Sequence, residues 1–170
     1  MKKLLVLLIL LAAVLFTAGC TEDNRENSTS PELSLGKDAV IKITQLEQIN
    51  TSLQKGPVFV KIGTKWCPAC RSMKPILEKL AAEYLGKATI AFVDADQNPE
   101  LAEYFGVEAI PDSFVIVDIK NGTYVYMQEN GNVSADRSQA KIIGLNDNDE
   151  KVFERVLDLS LLQQGKDKSN

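Results

Sequence analysis

The chain has 170 residues, 45% of them hydrophobic and 25% charged, which suits one domain with a sizeable core. Its 19 Lys and Arg against 23 Asp and Glu give a formal charge of −4, so the basic surface that a nucleic-acid partner needs is missing. With three cysteines and no histidine, a metal site would have few ligands to draw on, and none is expected. Met1-Lys2-Lys3 and the apolar run Leu4 to Phe16 have the charged start and short hydrophobic stretch of an export signal. The run is too short for a membrane span of ordinary length.

That leader ends Leu15-Phe16-Thr17-Ala18-Gly19-Cys20, which resembles the lipobox of prokaryotic lipoproteins. The resemblance implies that residues 1–19 are a signal peptide and that Cys20 is lipidated and becomes the mature N-terminus. Thr17 departs from the usual Leu at its position. Two alternatives stand beside this reading: an ordinary small-residue cleavage site at Thr17-Ala18-Gly19, and an uncleaved anchor. Acylation explains the third cysteine, otherwise an odd free thiol in an exported protein. Two or more acyl chains give stable attachment where one does not. The expected location is the extracytoplasmic face of a cell membrane, periplasmic or at the cell surface. Residues 20–37 are polar, contain Pro31 and lack apolar periodicity, so they read as a lipid-anchored tether. Around Leu33 and Leu35 an extension packed on the domain is the other reading.

A folded domain is expected over residues 38–165, with a polar tail at 166–170. Val40-Ile41-Lys42-Ile43 reads as a short strand. Thr44 and Glu47 form a capping box for a helix that carries Leu46, Ile49 and Leu53 on one face and ends at Gly56-Pro57. The strand Val58 to Ile62 is apolar except for Lys61, as a central strand covered on both faces would be.

Lys65-Trp66-Cys67-Pro68-Ala69-Cys70-Arg71 follows, and opens a helical pattern from Pro68 to Tyr84. Two cysteines separated by two residues at a strand-to-helix junction suit dithiol–disulfide chemistry. Cys67 at the helix N-terminus meets unpaired N–H groups and the positive end of the macrodipole, which favour thiolate, so it is the expected nucleophile. Cys70, one turn on, can attack a mixed disulfide on Cys67 and release the product. Pro68 fits the first helical position, and Trp66 can cover the sulfurs with an apolar wall. Half a zinc site is a second reading, but no other C-x-x-C exists and Cys20 is the only remaining sulfur. A purely structural disulfide is a third, although so small a loop removes little unfolded-state entropy. Met73, Ile76, Leu77, Leu80, Ala81 and Tyr84 form the stripe facing the core, and Pro75 is expected to kink the helix.

Trp66-Cys67-Pro68-Ala69-Cys70, Pro75, Ile110-Pro111 before an apolar strand, and Asp96-Gln97-Asn98-Pro99 with Tyr104-Phe105-Gly106-Val107 together resemble the thioredoxin superfamily. The likeness runs from about Val40 to Gln163. It implies an α/β, thioredoxin-like fold: a mixed central sheet with helices on both faces. It also implies that Pro111 is cis and packs on Cys67. Ile110 would then offer its backbone to a substrate peptide by a short β-augmentation. Trp66, Pro68, Ile110 and Pro111 are thus the expected substrate-binding and site-shaping residues.

Two positions depart from that family. Lys61 stands where thioredoxins carry a buried carboxylate held to relay the second cysteine's proton, and Phe92 stands where many place a lysine partner. Either the Lys61 ammonium favours thiolate and shifts the pair toward dithiol, or the side chain snorkels to solvent and does nothing chemical. With a lysine here, proton transfer at Cys70 calls for water or another group. Asp112 follows Pro111 where thioredoxins often have Thr. Either it raises the Cys67 pKa and opposes Lys61, or it points to solvent.

Ala88 to Val93 reads as a strand, Asn98-Pro99 as the start of a short helix ending at Gly106, and Ser113 to Val117 as another strand. Asn121-Gly122 predicts a type I′ hairpin into Thr123 to Met127. Gln128 to Ala140 is polar, either an extended hairpin or a recognition loop. Asp147 and Glu150 predict a capped last helix with Val152, Phe153, Val156 and Leu157 inward, and Gln163 to Asn170 a frayed tail.

The reading that follows is a monomeric thiol–disulfide oxidoreductase acting outside the cytoplasm. It would reduce protein or small-molecule disulfides and be recharged by a membrane or soluble electron donor. No cofactor is expected, since Cys67 and Cys70 carry the electrons. Oxidase, isomerase and a non-catalytic peptide-binding adaptor are the alternatives.

Overall fold

The computed structural model describes residues 40–144 and 146–167; the leader, Cys20 and the tether lie outside them. The described residues begin with β1 (Ile41–Lys42), α1 (Leu46–Leu53) and β2 (Val58–Gly63). Helices α2 (Pro68–Ser72) and α3 (Lys74–Glu83), β3 (Thr89–Asp94) and α4 (Pro99–Tyr104) follow. The second half holds β4 (Asp112–Lys120), β5 (Thr123–Met127), β6 (Val133–Ser134), β7 (Ile142–Ile143) and α5 (Asp149–Asp167). The strands form one mixed sheet in the order β1-β3-β2-β4-β5-β6, with β7 added at the start of β4. β1, β3 and β2 run parallel, and β4, β5 and β6 continue antiparallel.

β2 is the central strand and is buried along its whole length. Side chains alternate across a strand, so its residues divide between two cores. Val58, Val60 and Ile62 meet Ile49 of α1 and Leu101 of α4. Phe59 points the other way, to Leu77 and Leu80 of α3 and Phe153 of α5, where its ring meets that of Phe153 edge to face. Helices therefore cover both faces, as the resemblance implied. The same alternation puts Lys61 with Phe59, on the side of α2 and α3.

The predicted 68–84 helix is present as two pieces that break at Met73. Pro75 cannot donate to the carbonyl four residues back, so one rung of the ladder is lost there. The hairpin matches its prediction: Asn121 and Gly122 both have positive φ, 53° and 77°, as a type I′ turn requires. Gln128 to Ala140 is an extended hairpin. β6 returns on β5, and a single 3-10 turn at Arg137–Gln139 leads into β7.

Three helix ends differ from expectation. Gln45, not Thr44, is the cap of α1, and Gln48 supplies the reciprocal bond, its Oε1 accepting from the Gln45 N–H at 3.1 Å. At α5 the side chain of Asp149 accepts from the Asn146 N–H at 2.8 Å, while Glu150 pairs with Lys79, so the local pairing sits one residue before Asp147 and Glu150. The tail expected from Gln163 continues the helix to Asp167, and Gln164 donates to the Val117 carbonyl at 3.4 Å.

Candidate active site

β2 ends at Gly63, and the chain crosses Thr64, Lys65 and Trp66 to reach Cys67, the N-cap of α2. Cys67 has extended backbone angles, φ −66° and ψ 118°, and its Sγ accepts the Cys70 N–H at 3.3 Å. The sulfur thus occupies the place that a capping Ser or Asp oxygen takes, and Pro68 at the first helical position needs no acceptor. Both cysteines are almost enclosed, Cys67 6% and Cys70 4% exposed. Pro111 is buried and follows a cis Ile110–Pro111 bond. Trp66, next to Cys67 in the chain, is 66% exposed, so most of its indole faces solvent. Arg71 donates to the Trp66 carbonyl at 2.7 Å and holds this approach in place.

Lys61 lies behind the pair, 2% exposed, so the snorkelling alternative does not describe it. In the register of the sheet it stands between Phe92 on β3 and Ser113 on β4, and its Nζ lies 4.5 Å from the Phe92 ring centroid. Gly63 reports how close Nζ and sulfur come. A Cβ at that residue would sit 2.6 Å from Cys70 Sγ and 2.7 Å from Lys61 Nζ, so no side chain can stand there with both in place. Burial pulls the Lys61 pKa below its ordinary value, against the opposing pull of Cys70, Cys67 and Asp94. Burial also works against a Cys67 thiolate. The Cys70 thiol and N–H, followed by the Lys61 charge, outweigh it and leave the Cys67 pKa lowered. Cys70 goes the other way, raised by burial and by its bond to Cys67. The two thiols are therefore split, with the thiolate on the residue nearer the surface chain turn.

Asp112 lies elsewhere in the sheet. It alternates with Ser113, so it faces the α1 and α4 side, opposite Lys61. Neither solvent nor Lys61 is its partner: it is fully buried, and Arg137 Nη1 donates to both its carboxylate oxygens at 3.0 Å. Arg137 also donates to the Gly106 carbonyl at 3.0 Å and lies over the Phe114 ring. Burial holds the Asp112 pKa up even with Arg137 beside it.

Sequence reasoning passed over four residues here. Gly63 lies one residue past the strand that was expected to end at Ile62. Asp94, at the end of β3, is 1% exposed, and its Oδ2 lies 3.7 Å from the ammonium of the exposed Lys65. Among the described residues Asp94 Oδ2, Thr64 Oγ1 and Ser113 Oγ are buried without a hydrogen-bond partner. Asp94 is two residues on from Phe92, and Phe92 and Ser113 are both paired with Lys61, so the strand pattern alone puts Asp94 and Ser113 on the Lys61 side. Among the described residues no three His, Cys, Asp or Glu side chains converge as metal ligands do.

A family model described as Thioredoxin matches residues 40–143, more than half of the chain. The chain belongs to the thioredoxin family. Thioredoxins of Staphylococcus aureus are 36% identical over 80 residues, which is 47% of this chain and 76% of the relative. That of Staphylococcus saprophyticus is 38% identical over the same length and shares. Among solved structures, mitochondrial thioredoxin 3 of Saccharomyces cerevisiae, in its oxidized form, is similar with a TM-score of 0.51 and 24% identity. It covers 71% of this chain and 94% of its own. Thioredoxin from Trypanosoma brucei brucei gives 0.52 and 19%, over 75% and 95%. At such identities the two structures speak for the fold alone, which is thioredoxin-like. As a member of that family, which acts on protein thiols and disulfides, the chain is a thiol–disulfide oxidoreductase.

Proposed function

We propose that this protein reduces protein or small-molecule disulfides outside the cytoplasm through Cys67 and Cys70. The observation that carries the assignment of roles is the Cys67 Sγ at the head of α2, accepting the Cys70 N–H at 3.3 Å. Cys67 attacks a substrate sulfur as thiolate, and the first product thiolate leaves. Cys70 then attacks Cys67 Sγ, the mixed disulfide breaks, and the second product thiol departs. The substrate disulfide is reduced by two electrons and the cysteine pair is oxidised by two. Trp66 and Pro68, both exposed, give the substrate an apolar surface, and the cis Ile110–Pro111 segment just before β4 is assigned the backbone contact to it. No bound cofactor enters this scheme.

Purified residues 38–170 should reduce insulin disulfides with a dithiol as electron source, and Cys67→Ser should abolish that turnover. Equal turnover by the serine variant would remove the proposal. The extracytoplasmic part rests on the leader and on Cys20, which lie outside the described residues. Cys20→Ser should release the chain from membranes or leave the precursor unprocessed. A variant processed and membrane-bound like the parent would refute acylation at that residue.

A further inference from the structure

Lys61 is the feature that this scheme leaves unused. We propose that the Lys61 amine is the group that takes the proton of Cys70 as Cys70 closes the disulfide, and that the cavity behind it passes the proton to bulk water. The inference rests on the roles just given to the two cysteines.

Three observations support it. First, Nζ and Cys70 Sγ crowd the same point beside Gly63, so amine and thiol are neighbours with no side chain between them. Second, no carboxylate pairs with Lys61 among the described residues, and at 2% exposure solvent does not stabilise its charge. Third, a cavity of about 300 Å³ opens onto both groups, lined by Phe92 and Leu77 and by the Thr64 hydroxyl that has no protein partner. Its walls are mostly apolar, but it has room for water and opens to solvent between the charged side chains at its rim.

The charges facing Lys61 set the order of events. Cys67 and Cys70 face it from α2, Asp94 from β3, and Lys42, Lys65, Arg71, Lys74 and Glu78 line the cavity toward solvent. In the reduced pair the ammonium is balanced by the Cys67 thiolate. When Cys67 enters a mixed disulfide that negative charge is gone, and a buried ammonium beside a neutral sulfur is disfavoured. It loses its proton through the cavity. The free amine then accepts the Cys70 proton while Cys70 sulfur bonds to Cys67 sulfur and the substrate thiolate leaves. The ammonium so formed again has no thiolate beside it, with Asp94 the carboxylate that still favours its charge, and gives its proton to water. Two protons leave the protein per turnover and two product thiolates take them up, so the step balances.

The test is a two-phase reaction of the reduced protein with dithiodipyridine, an uncharged disulfide. The first thiopyridone released reports attack by Cys67 and the second reports closure by Cys70. Lys61→Met should slow the second phase by roughly a hundredfold at neutral pH, the size of a general-base contribution. The slowed phase should speed up with pH as Cys70 ionises unaided, while the first phase changes far less. Lys61→Arg keeps the charge but cannot accept a proton, and should be as slow as Met in the second phase. A second phase unchanged in Lys61→Met, or restored by Lys61→Arg, overturns the proposal, the latter because charge alone would then suffice. If the arginine variant does not fold, Lys61→Ala with added methylamine makes the same distinction. Acceleration that follows the free base supports a proton acceptor; acceleration that follows the ammonium, or none, overturns it. Failure of the cysteine roles themselves would look different: the first phase would persist in Cys67→Ser.

Discussion

The sheet buries a charge on each of its two faces, and the two are treated differently. On the α1 and α4 side Asp112 is met by both the geometry and the charge of Arg137, two bonds of 3.0 Å from one guanidinium nitrogen. On the α2 and α3 side Lys61 has an aromatic ring, a thiol and a cavity, and no ion pair among the described residues. A buried charge with a fitted partner is held in one state. One without such a partner changes its protonation with whatever charge appears beside it. The first arrangement ties the chain together: Arg137, on the segment between β6 and β7, fastens that extension to β4 and to Gly106. The second is placed against the sulfurs, where charge appears and disappears in every turnover.

The paired side should give the largest effect when broken. Arg137→Ala leaves the Asp112 carboxylate buried and unpaired, which costs about 3–5 kcal/mol of folding stability, readable by urea titration. The sign with pH follows from the raised Asp112 pKa. A carboxyl whose folded pKa lies above its unfolded one adds stability below the unfolded value and loses it as pH rises through the folded one. Without Arg137 that pKa climbs further, so the deficit of the variant should be greatest near neutrality and shrink on acidification. A deficit independent of pH would mean that the arginine contributes only packing.

How far this contrast could be read in advance depends on strand parity. β2 and β4 are apolar on both faces, so Phe114 and Val115 look alike in the chain and give no clue to which face Asp112 joins. Lys61 was legible as anomalous because it interrupts an unbroken apolar run, but its depth was not, since a lysine stem long enough to snorkel is also long enough to reach Cys70. The cysteine turn, the break near Pro75 and the Asn121-Gly122 hairpin were legible because each rests on local stereochemistry. β6 and β7 were not, because two-residue strands have no period to detect. The caps slipped by one residue where polar side chains occur in succession, at Thr44 and Gln45 and again at Asn146 and Asp147. There the winner is decided by which of them the helix axis brings within reach.

A smaller effect should come from the one position that touches both members of the unpaired site. Gly63→Ala places a methyl 2.6 Å from Cys70 Sγ and 2.7 Å from Lys61 Nζ. The lysine end can swing aside, whereas the sulfur has only one torsion to turn. Overpacking of this kind costs about 1–3 kcal/mol. The variant should also lose insulin reduction beyond what its stability explains, since both groups are moved from their places. Full activity at unchanged stability would show that the site is looser than the distances imply.

The smallest expected effect on stability, and the one that separates the two faces most sharply, is Lys61→Met. At Asp112 removing the partner destabilises; at Lys61 removing the charge itself should stabilise. Methionine keeps most of the stem's apolar volume and ends the desolvation of an ammonium that the Cys67 thiolate and Asp94 offset only in part, so the reduced protein should gain about 1 kcal/mol near neutral pH. The linkage sign agrees. A lysine whose folded pKa is depressed binds fewer protons folded than unfolded, so the parent gains stability as pH rises through that lowered pKa toward the ordinary lysine value. The methionine variant lacks this gain, and its advantage should fade over that window. The redox pair should register the same charge with the opposite benefit. The ammonium stabilises the Cys67 thiolate and has no equivalent in the disulfide, so its removal should raise the Cys67 pKa and move the potential to a more negative value, by roughly 30 mV for each 1.4 kcal/mol of lost stabilisation. A gain in stability without movement of the potential would separate Lys61 from the sulfurs. A loss of stability would mean that the amine is held as firmly as Asp112, and that the two faces differ in sign of charge alone.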